Sequence, residues 1–199
     1  AGTLYHVVLG AAQFEVIWAV EDKGFNPNTF GQINGWIFVV FGVLGSLFGG
    51  IASDWTLRKY NLPRTWFLLI LTLLFMPLAF TRYLDTDSIL FWVGICSSAF
   101  SLGCFYGPVF AVIQELVPPT IKGTVVAFNL LCLNMLGIAL GSILFGILAD
   151  YAVTQGYENP YTNLLVGFSC VFLVFGPILY YLAGRFYEQD KKALIEKFN

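Results

Sequence analysis

The sequence of 199 residues predicts an all-α transmembrane fold, a six-helix bundle made of two inverted three-helix repeats. Composition is the first ground for this. The chain is 58% hydrophobic and 11% charged, with a mean hydropathy of +0.76, whereas a soluble domain carries roughly a quarter charged residues. Length is the second. Six stretches, about 1–20, 31–53, 65–81, 89–117, 123–149 and 162–184, reach or approach the ~20 apolar residues that one crossing needs. The third is an internal echo. Gly45-Ser46-Leu47-Phe48-Gly49-Gly50-Ile51-Ala52-Ser53-Asp54 and, 96 residues later, Gly141-Ser142-Ile143-Leu144-Phe145-Gly146-Ile147-Leu148-Ala149-Asp150 agree at five of ten positions. Each closes an apolar run with an aspartate. If three crossings separate equivalent points, the two helices run in opposite directions, which is the arrangement of an inverted-topology repeat.

The first span begins at Ala1 with no basic segment or small-residue cleavage site of a signal peptide before it, so the chain reads as a piece of something longer. It carries Tyr5, His6, Gln13 and Glu15. The third span contains Pro77, and in the fourth Gly107-Pro108 follows Gly103, which predicts a kinked helix. The fifth holds Asn129 and Asn134, expected to hydrogen-bond structurally across helices, and Gly137-x-x-x-Gly141, a spacing that lets helices approach closely. Residues 1–184 form the transmembrane unit. Residues 185–199 form a short amphipathic tail, with Tyr187, Leu194, Ile195 and Phe198 at helical spacings around Lys191 and Lys192, expected to lie on the membrane surface. Cys96, Cys104, Cys132 and Cys170 fall within spans without CxxC spacing and read as small packing residues.

Basic residues set the orientation. The loop 55–64, the loop 118–122 and the tail hold Arg58, Lys59, Arg64, Lys122, Arg185, Lys191, Lys192 and Lys197, whereas the connections on the other side hold Lys23 and Arg82. Eight against two makes the first side cytoplasmic by the positive-inside rule, and with it the C-terminus. The expected location is therefore a multi-pass integral protein of the cell (inner) membrane. Trp55 and Trp66 bracket the basic loop, while Trp18, Trp36 and Trp92 stand near the opposite ends of their spans, where indole rings favour the interface.

The loop after the second span carries the strongest local motif. Gly50, Asp54, Arg58 and Lys59 match the signature G-x-x-x-D-R/K-x-G-R-R/K, and the chain there resembles the major facilitator superfamily. Trp55 stands where a basic residue is usual and Leu57 where a second glycine is usual. The stretch Tyr106-Gly107-Pro108 through Val117-Pro118-Pro119-Thr120-Ile121-Lys122-Gly123, with Asn129, Asn134, Gly137 and Gly141 beyond it, looks like that superfamily's tenth and eleventh helices. The nearest branch is the spinster-like transporters, with Lys122 in place of a more usual arginine. The resemblance covers nearly the whole chain as helices seven to twelve. It implies a partner, the missing N-terminal six-helix half, whose loop aspartate would dock at a latch formed by Thr120 and Lys122. By the same resemblance Asp54 would reach the equivalent helix of that half. Thr120 after two prolines reads independently as an N-cap, and the helix start behind it has free N–H groups and a partial positive charge. The plainer reading pairs Asp54 with Arg58, four residues on.

Polar groups within spans are the remaining clue to chemistry, because ionisable side chains at mid-membrane are costly and turn to an interior or a cavity. On a continuous helix His6 and Gln13 share a face and Glu15 lies opposite His6. The helix-seven resemblance places Tyr5, His6 and Gln13 on a substrate cavity. Phe105, Tyr106 and Gln114 of the fourth span are further cavity candidates. Glu15 reads as a gate residue, a proton acceptor or simply a packed acid. The chain has a single histidine and neither HExxH nor Gly-x-Ser-x-Gly, so an enzyme is not expected, and neither is a cofactor or a metal site. The expected partners besides the missing half are the bilayer, a small-molecule or amphipathic substrate and a coupling ion, proton or sodium, with no nucleic acid. The leading expectation is half of a secondary active transporter working by alternating access, set against a scaffold or regulatory pseudo-transporter of the same fold.

Overall fold

Apolar sequence and backbone self-sufficiency leave helices as the only open-ended way to cross a bilayer, and the computed structural model is helical throughout its crossings. It describes residues 1–198, and all their side chains except those of Glu188, Leu194, Ile195, Lys197 and Phe198. The helices are α1 (Gly2–Ala12), α2 (Glu15–Glu21), α3 (Pro27–Tyr60), α4 (Arg64–Phe80), α5 (Ile89–Glu115), α6 (Lys122–Cys132), α7 (Leu140–Thr154) and α8 (Pro160–Phe198). Short 3₁₀ turns at Thr81–Tyr83 and Pro119–Ile121 extend α4 and precede α6, and a π segment, Leu133–Ala139, joins α6 to α7 as one span. Among the described residues five helical spans are long and apolar enough to cross a membrane, six when α1 and α2, bent by 42°, are taken as one span.

Local signals explain the ends. Asn26 accepts hydrogen bonds from the N–H groups of Asn28 and Thr29, and Pro27 opens α3. Asn61 closes the same helix in the left-handed region at φ 49°. Ser88 caps α5 through the Leu90 N–H. The α8 start is served from elsewhere: Asp22 Oδ2 accepts from the Thr162 N–H at 2.5 Å, setting a carboxylate at the positive end of a long helix.

The bundle is assembled at two backbone crossings. A Cβ added to Gly45 would stand 2.2 Å from the Phe100 carbonyl oxygen, and one on Gly103 2.2 Å from that of Gly42 and 2.9 Å from the Ser46 nitrogen. Second and fourth spans therefore touch backbone to backbone. The first and fifth do the same: a Cβ added to Gly141 would stand 2.2 Å from the Val7 carbonyl oxygen, and one on Gly10 2.3 Å from that of Ile138 and 2.8 Å from the Ser142 nitrogen. The two crossings correspond residue by residue. Adding 96 carries Gly42, Gly45 and Ser46 onto Ile138, Gly141 and Ser142, and adding 93 carries Val7 and Gly10 onto Phe100 and Gly103. This is the inverted repeat in atomic terms, first span matched to fourth and second to fifth. The same two equivalent spans keep the least of their apolar stretch inside, 11% for the second and 22% for the fifth, against 44% for the fourth. Their outer faces are left for lipid or another protein surface.

Several expectations change. The fourth span runs through Pro108 as one continuous helix, and a break that no proline announces falls at Gln13–Phe14. The cause is tertiary: α1 is held to the fifth span through Gly10, while α2 is held by Trp18 Nε1 donating to Thr162 Oγ1 at 2.8 Å and by Asp22 on the α8 start. Bonds of Gln13 N–H to Gly10 O and Phe14 N–H to Ala11 O tighten the chain into a 3₁₀-like turn between them. Asn134 donates to Leu130 O of its own span, not across helices, because the π segment turns it outward. Asn129 Nδ2 is buried without a hydrogen-bond partner. Beyond residue 184, α8 continues without interruption. Tyr187 is buried against Glu115 instead of facing the membrane surface, while Leu194, Ile195 and Phe198 lie outside the residues whose side chains are described.

The crossings set a stability test. Gly45→Ala, Gly103→Ala, Gly10→Ala and Gly141→Ala should each lower thermal stability in detergent, by about 1–3 kcal/mol for a forced helix separation. Gly35→Ala, where nothing lies within 4 Å, should cost nothing.

Candidate functional site

Polar chemistry collects at the two ends of the bundle. At the end opposite the basic loops, Glu15 of α2 meets Arg82 of the 3₁₀ turn after α4. Arg82 Nη1 donates to Glu15 Oε1 at 2.8 Å, with side-chain exposures of 7% and 5%. Asn34 Nδ2 of α3 donates to the other carboxylate oxygen at 3.1 Å. Arg82 Nη2 donates to the Tyr83 hydroxyl, which lies 3.2 Å from Ser169 Oγ, and the guanidinium sits against the Trp18 and Tyr83 rings. The acid thus joins the first, second and third spans, and through Arg82 and Tyr83 the network reaches the sixth. An ion pair so deeply enclosed holds through its geometry and extra hydrogen bonds, since either charge alone there would be severely penalised. Beside it lies a cavity of about 70 Å³ whose polar lining includes Tyr5, Arg82, Ser98, Ser101 and Ser169.

At the basic end, Arg64 opens α4 and gathers two acids. Its Nη2 donates to Asp54 Oδ1 at 2.7 Å and its Nη1 to Glu115 Oε1, while the Tyr187 hydroxyl donates to Glu115 Oε2. One guanidinium therefore ties the ends of the second, third and fourth spans, and Tyr187 adds the sixth. Arg64 is the enclosed member at 11% side-chain exposure, and Asp54 the open one at 48%.

The sequence candidates divide accordingly. Of Gly50, Asp54, Arg58 and Lys59, Asp54 belongs to the cluster, but its partner is Arg64 and not Arg58. Arg58 is exposed, and Lys59 lies 4.8 Å from the centre of the Trp55 ring. Helix α3 carries on through Tyr60, which turns Arg58 and Lys59 outward and leaves the chain's return at Arg64 to meet the acid. Thr120 does not cap a helix: it is exposed within the 3₁₀ turn, and α6 starts at Lys122 behind Ile121 with no side-chain cap. Two prolines favour the turn over an immediate α-helical start.

His6 and Gln13 differ in exposure. His6 is 1% exposed, with Nδ1 at 2.9 Å from Gly2 O and Nε2 at 3.1 Å from the Tyr106 hydroxyl, while Gln13 is exposed. His6 also fills the space above Gly137, whose added Cβ would lie 2.4 Å from its own. Tyr5 and Phe105 belong to an aromatic cluster with Phe172, the Tyr5 ring 5.0 Å from each. Gln114 is exposed near the end of α5, and Glu15 is the buried acid already described. Sequence reasoning missed Arg82, Arg64, Asn34 and Tyr187. Arg82 carried a usable signal, a basic residue at a span's edge in a chain with an acid inside another span. Among the described residues no three of His, Cys, Asp and Glu gather to hold a metal ion.

The sequence profile of the Major Facilitator Superfamily matches residues 3–142. The chain belongs to the major facilitator superfamily. It is therefore a member of a transporter family and an integral multi-pass membrane protein. No curated protein matches it significantly, and neither does any solved structure. The match spans both backbone crossings, ending at Ser142 beside Gly141.

The buried pair yields a thermodynamic cycle. Glu15→Gln and Arg82→Met should each destabilise this superfamily member by about 3–5 kcal/mol, because each strands the opposite charge. The double variant Glu15→Leu/Arg82→Met should recover most of the loss in thermal unfolding, and a strictly additive loss would contradict the pairing.

Proposed function

We propose that the chain is the C-terminal half of a secondary active transporter that moves a small organic or amphipathic solute by alternating access. The single observation that carries this reading is the pair of in-register glycine crossings. They make two equivalent helix pairs, first with fifth and second with fourth, and in each pair one member, the fifth or the second, keeps little of its apolar stretch inside. An N-terminal six-helix half covers the outer faces of those members, and substrate binds between the halves near the bilayer midplane. The basic side is cytoplasmic, and the membrane is the cell (inner) membrane.

On this reading the Asp54–Arg64–Glu115 cluster biases the equilibrium toward the cytoplasm-closed state. Its open member, Asp54, is the one placed to exchange Arg64 for a contact with the other half. Glu15 serves as the gate residue or proton acceptor. Arg82 holds its charge when the acid is ionised, and Asn34 and Tyr83 keep the surrounding polar atoms engaged. Tyr5, His6, Phe105 and Tyr106 form the wall behind the substrate, and Gln13 and Gln114 lie nearer the interface with the missing half. The coupling ion is a proton or sodium.

The test uses the full-length protein in proteoliposomes, with a panel of labelled small and amphipathic solutes and with or without a proton gradient. Asp54→Asn should cut uptake about tenfold, which is a shift of roughly 1.4 kcal/mol in the conformational equilibrium. Expression and unfolding temperature should stay near wild type, and maleimide labelling of Gln114→Cys should speed up severalfold. Normal uptake by the variant, or a loss explained by misfolding, defeats the assignment of Asp54.

A further inference from the structure

The sixth span, continuing as one helix to Phe198, brings a hydroxyl to the charge cluster at the basic end. It passes the first turn of α4 at close range. A Cβ added to Gly184 would stand 2.8 Å from the Trp66 ring, and Tyr181 packs edge-on to the same ring at 5.4 Å. Tyr187 lies three residues beyond Gly184, on the same helical face, and is 1% exposed. Its hydroxyl donates to Glu115 Oε2, and Lys191 Nζ lies 5.6 Å from the centre of its ring. We infer that Tyr187 is a positioning residue of the cytoplasmic gate: it keeps Glu115 on Arg64, so that Asp54 can leave without stranding the arginine. This rests on the transport reading, in which Asp54 exchanges partners.

The need for such a hold follows from where the charges sit. Arg64 is the first residue of α4, at the positive end of that helix, and Glu115 is the last of α5, at the negative end of its own. Neither charge is stabilised by the helix that carries it. Arg64, with 11% of its side chain exposed, is too enclosed to be left without an acid. Two acids share it, and they are not held alike. Asp54, at 48% exposure, meets Arg64 through Oδ1. Glu115, at 26%, is gripped at both oxygens, Oε1 by Arg64 and Oε2 by Tyr187. A hydroxyl bonded to an ionised acceptor is among the stronger hydrogen bonds, and it fixes the Glu115 rotamer before Asp54 moves. Glu115 is then the standing counter-ion and Asp54 the mobile one. Without the hydroxyl Glu115 swings toward water, Arg64 depends on Asp54, and the aspartate is withheld from the other half.

The experiment uses the full-length protein in detergent, and Tyr187→Phe, which keeps the ring and removes only the donor. Tyr187→Phe and Asp54→Asn should each lower the unfolding temperature by about 2 °C or less. The double variant should lose about 6 °C or more, because Arg64 then has no fixed acid. In a Glu115→Gln background Tyr187→Phe should change the unfolding temperature by less than about 1 °C, since the hydroxyl acts through that carboxylate. A packing role for the hydroxyl predicts the same loss in every background. The single variant supplies a second measurement should the double variant fail to fold: carbodiimide coupling of glycine ethyl ester, located by mass spectrometry. Tyr187→Phe should raise modification of Glu115 about threefold or more, on the scale of one lost hydrogen bond, and lower that of Asp54. Additive losses, a loss that persists undiminished with Glu115→Gln, or unchanged modification of Glu115 overturns the inference. None of these readings requires flux. Their failure with the expected Gln114→Cys response to Asp54→Asn removes the role of Tyr187 alone, whereas their success with normal uptake by Asp54→Asn leaves the hold on Glu115 and removes the gate.

Discussion

Four glycines set the distance between helices, and most of the structure follows from that distance. In lipid the hydrophobic effect does little to hold one helix against another, so association relies on van der Waals contact at close range. At Gly10, Gly45, Gly103 and Gly141 a single added carbon would fall 2.2–2.3 Å from a backbone oxygen of the facing helix. No side chain rearrangement relieves such a collision, because the obstacle is main chain. The paired spans are thus committed to one register, and the aromatic layers on either side pack to suit. Trp18, Phe30, Phe91 and Phe145 fill one end of the bundle, and Phe105, Phe172 and Tyr180 the middle.

The third span supplies the electrostatic counterpart. It carries one arginine at its first residue, Arg64, and another just past its last turn, Arg82. Eighteen residues separate them, about 27 Å of helix, close to the hydrocarbon thickness of ~30 Å. Each collects acids from other spans: Asp54 and Glu115 at the basic end, Glu15 at the other. The two clusters differ in exposure, and so in what they can do. The Glu15–Arg82 pair is sealed and braces the bent α2, while the Asp54 carboxylate is half open and can exchange partners.

Much of this was legible in the residues. Six apolar runs, the repeated Gly-Ser…Gly-Ile…Asp pattern and the Gly137-x-x-x-Gly141 spacing foretold the helices, the inverted repeat and close packing in the fifth span. The repeat was readable because both copies meet the same steric demand, a small residue opposite a backbone oxygen. The motif around Asp54 pointed to the right acid and the wrong base. Arg58 is near Asp54 in sequence, but Arg64 is reached only after the chain reverses through Asn61 and Pro63. Tyr187 was read as part of a surface tail because its spacing is amphipathic, yet the uninterrupted α8 carries it to Glu115.

By itself the sequence determined the solvent, the number of crossings, the repeat and the family, since these depend on composition and on local periodicity along the chain. The tertiary structure alone decided where the first span breaks and which arginine answers each acid. The break at Gln13–Phe14 has no proline to announce it. It exists because one half of the span is pinned to the fifth by Gly10 and the other half is drawn to the sixth by Trp18 and Asp22. That competition between distant contacts sets the bend, and a helical wheel drawn through a straight helix contains no term for it.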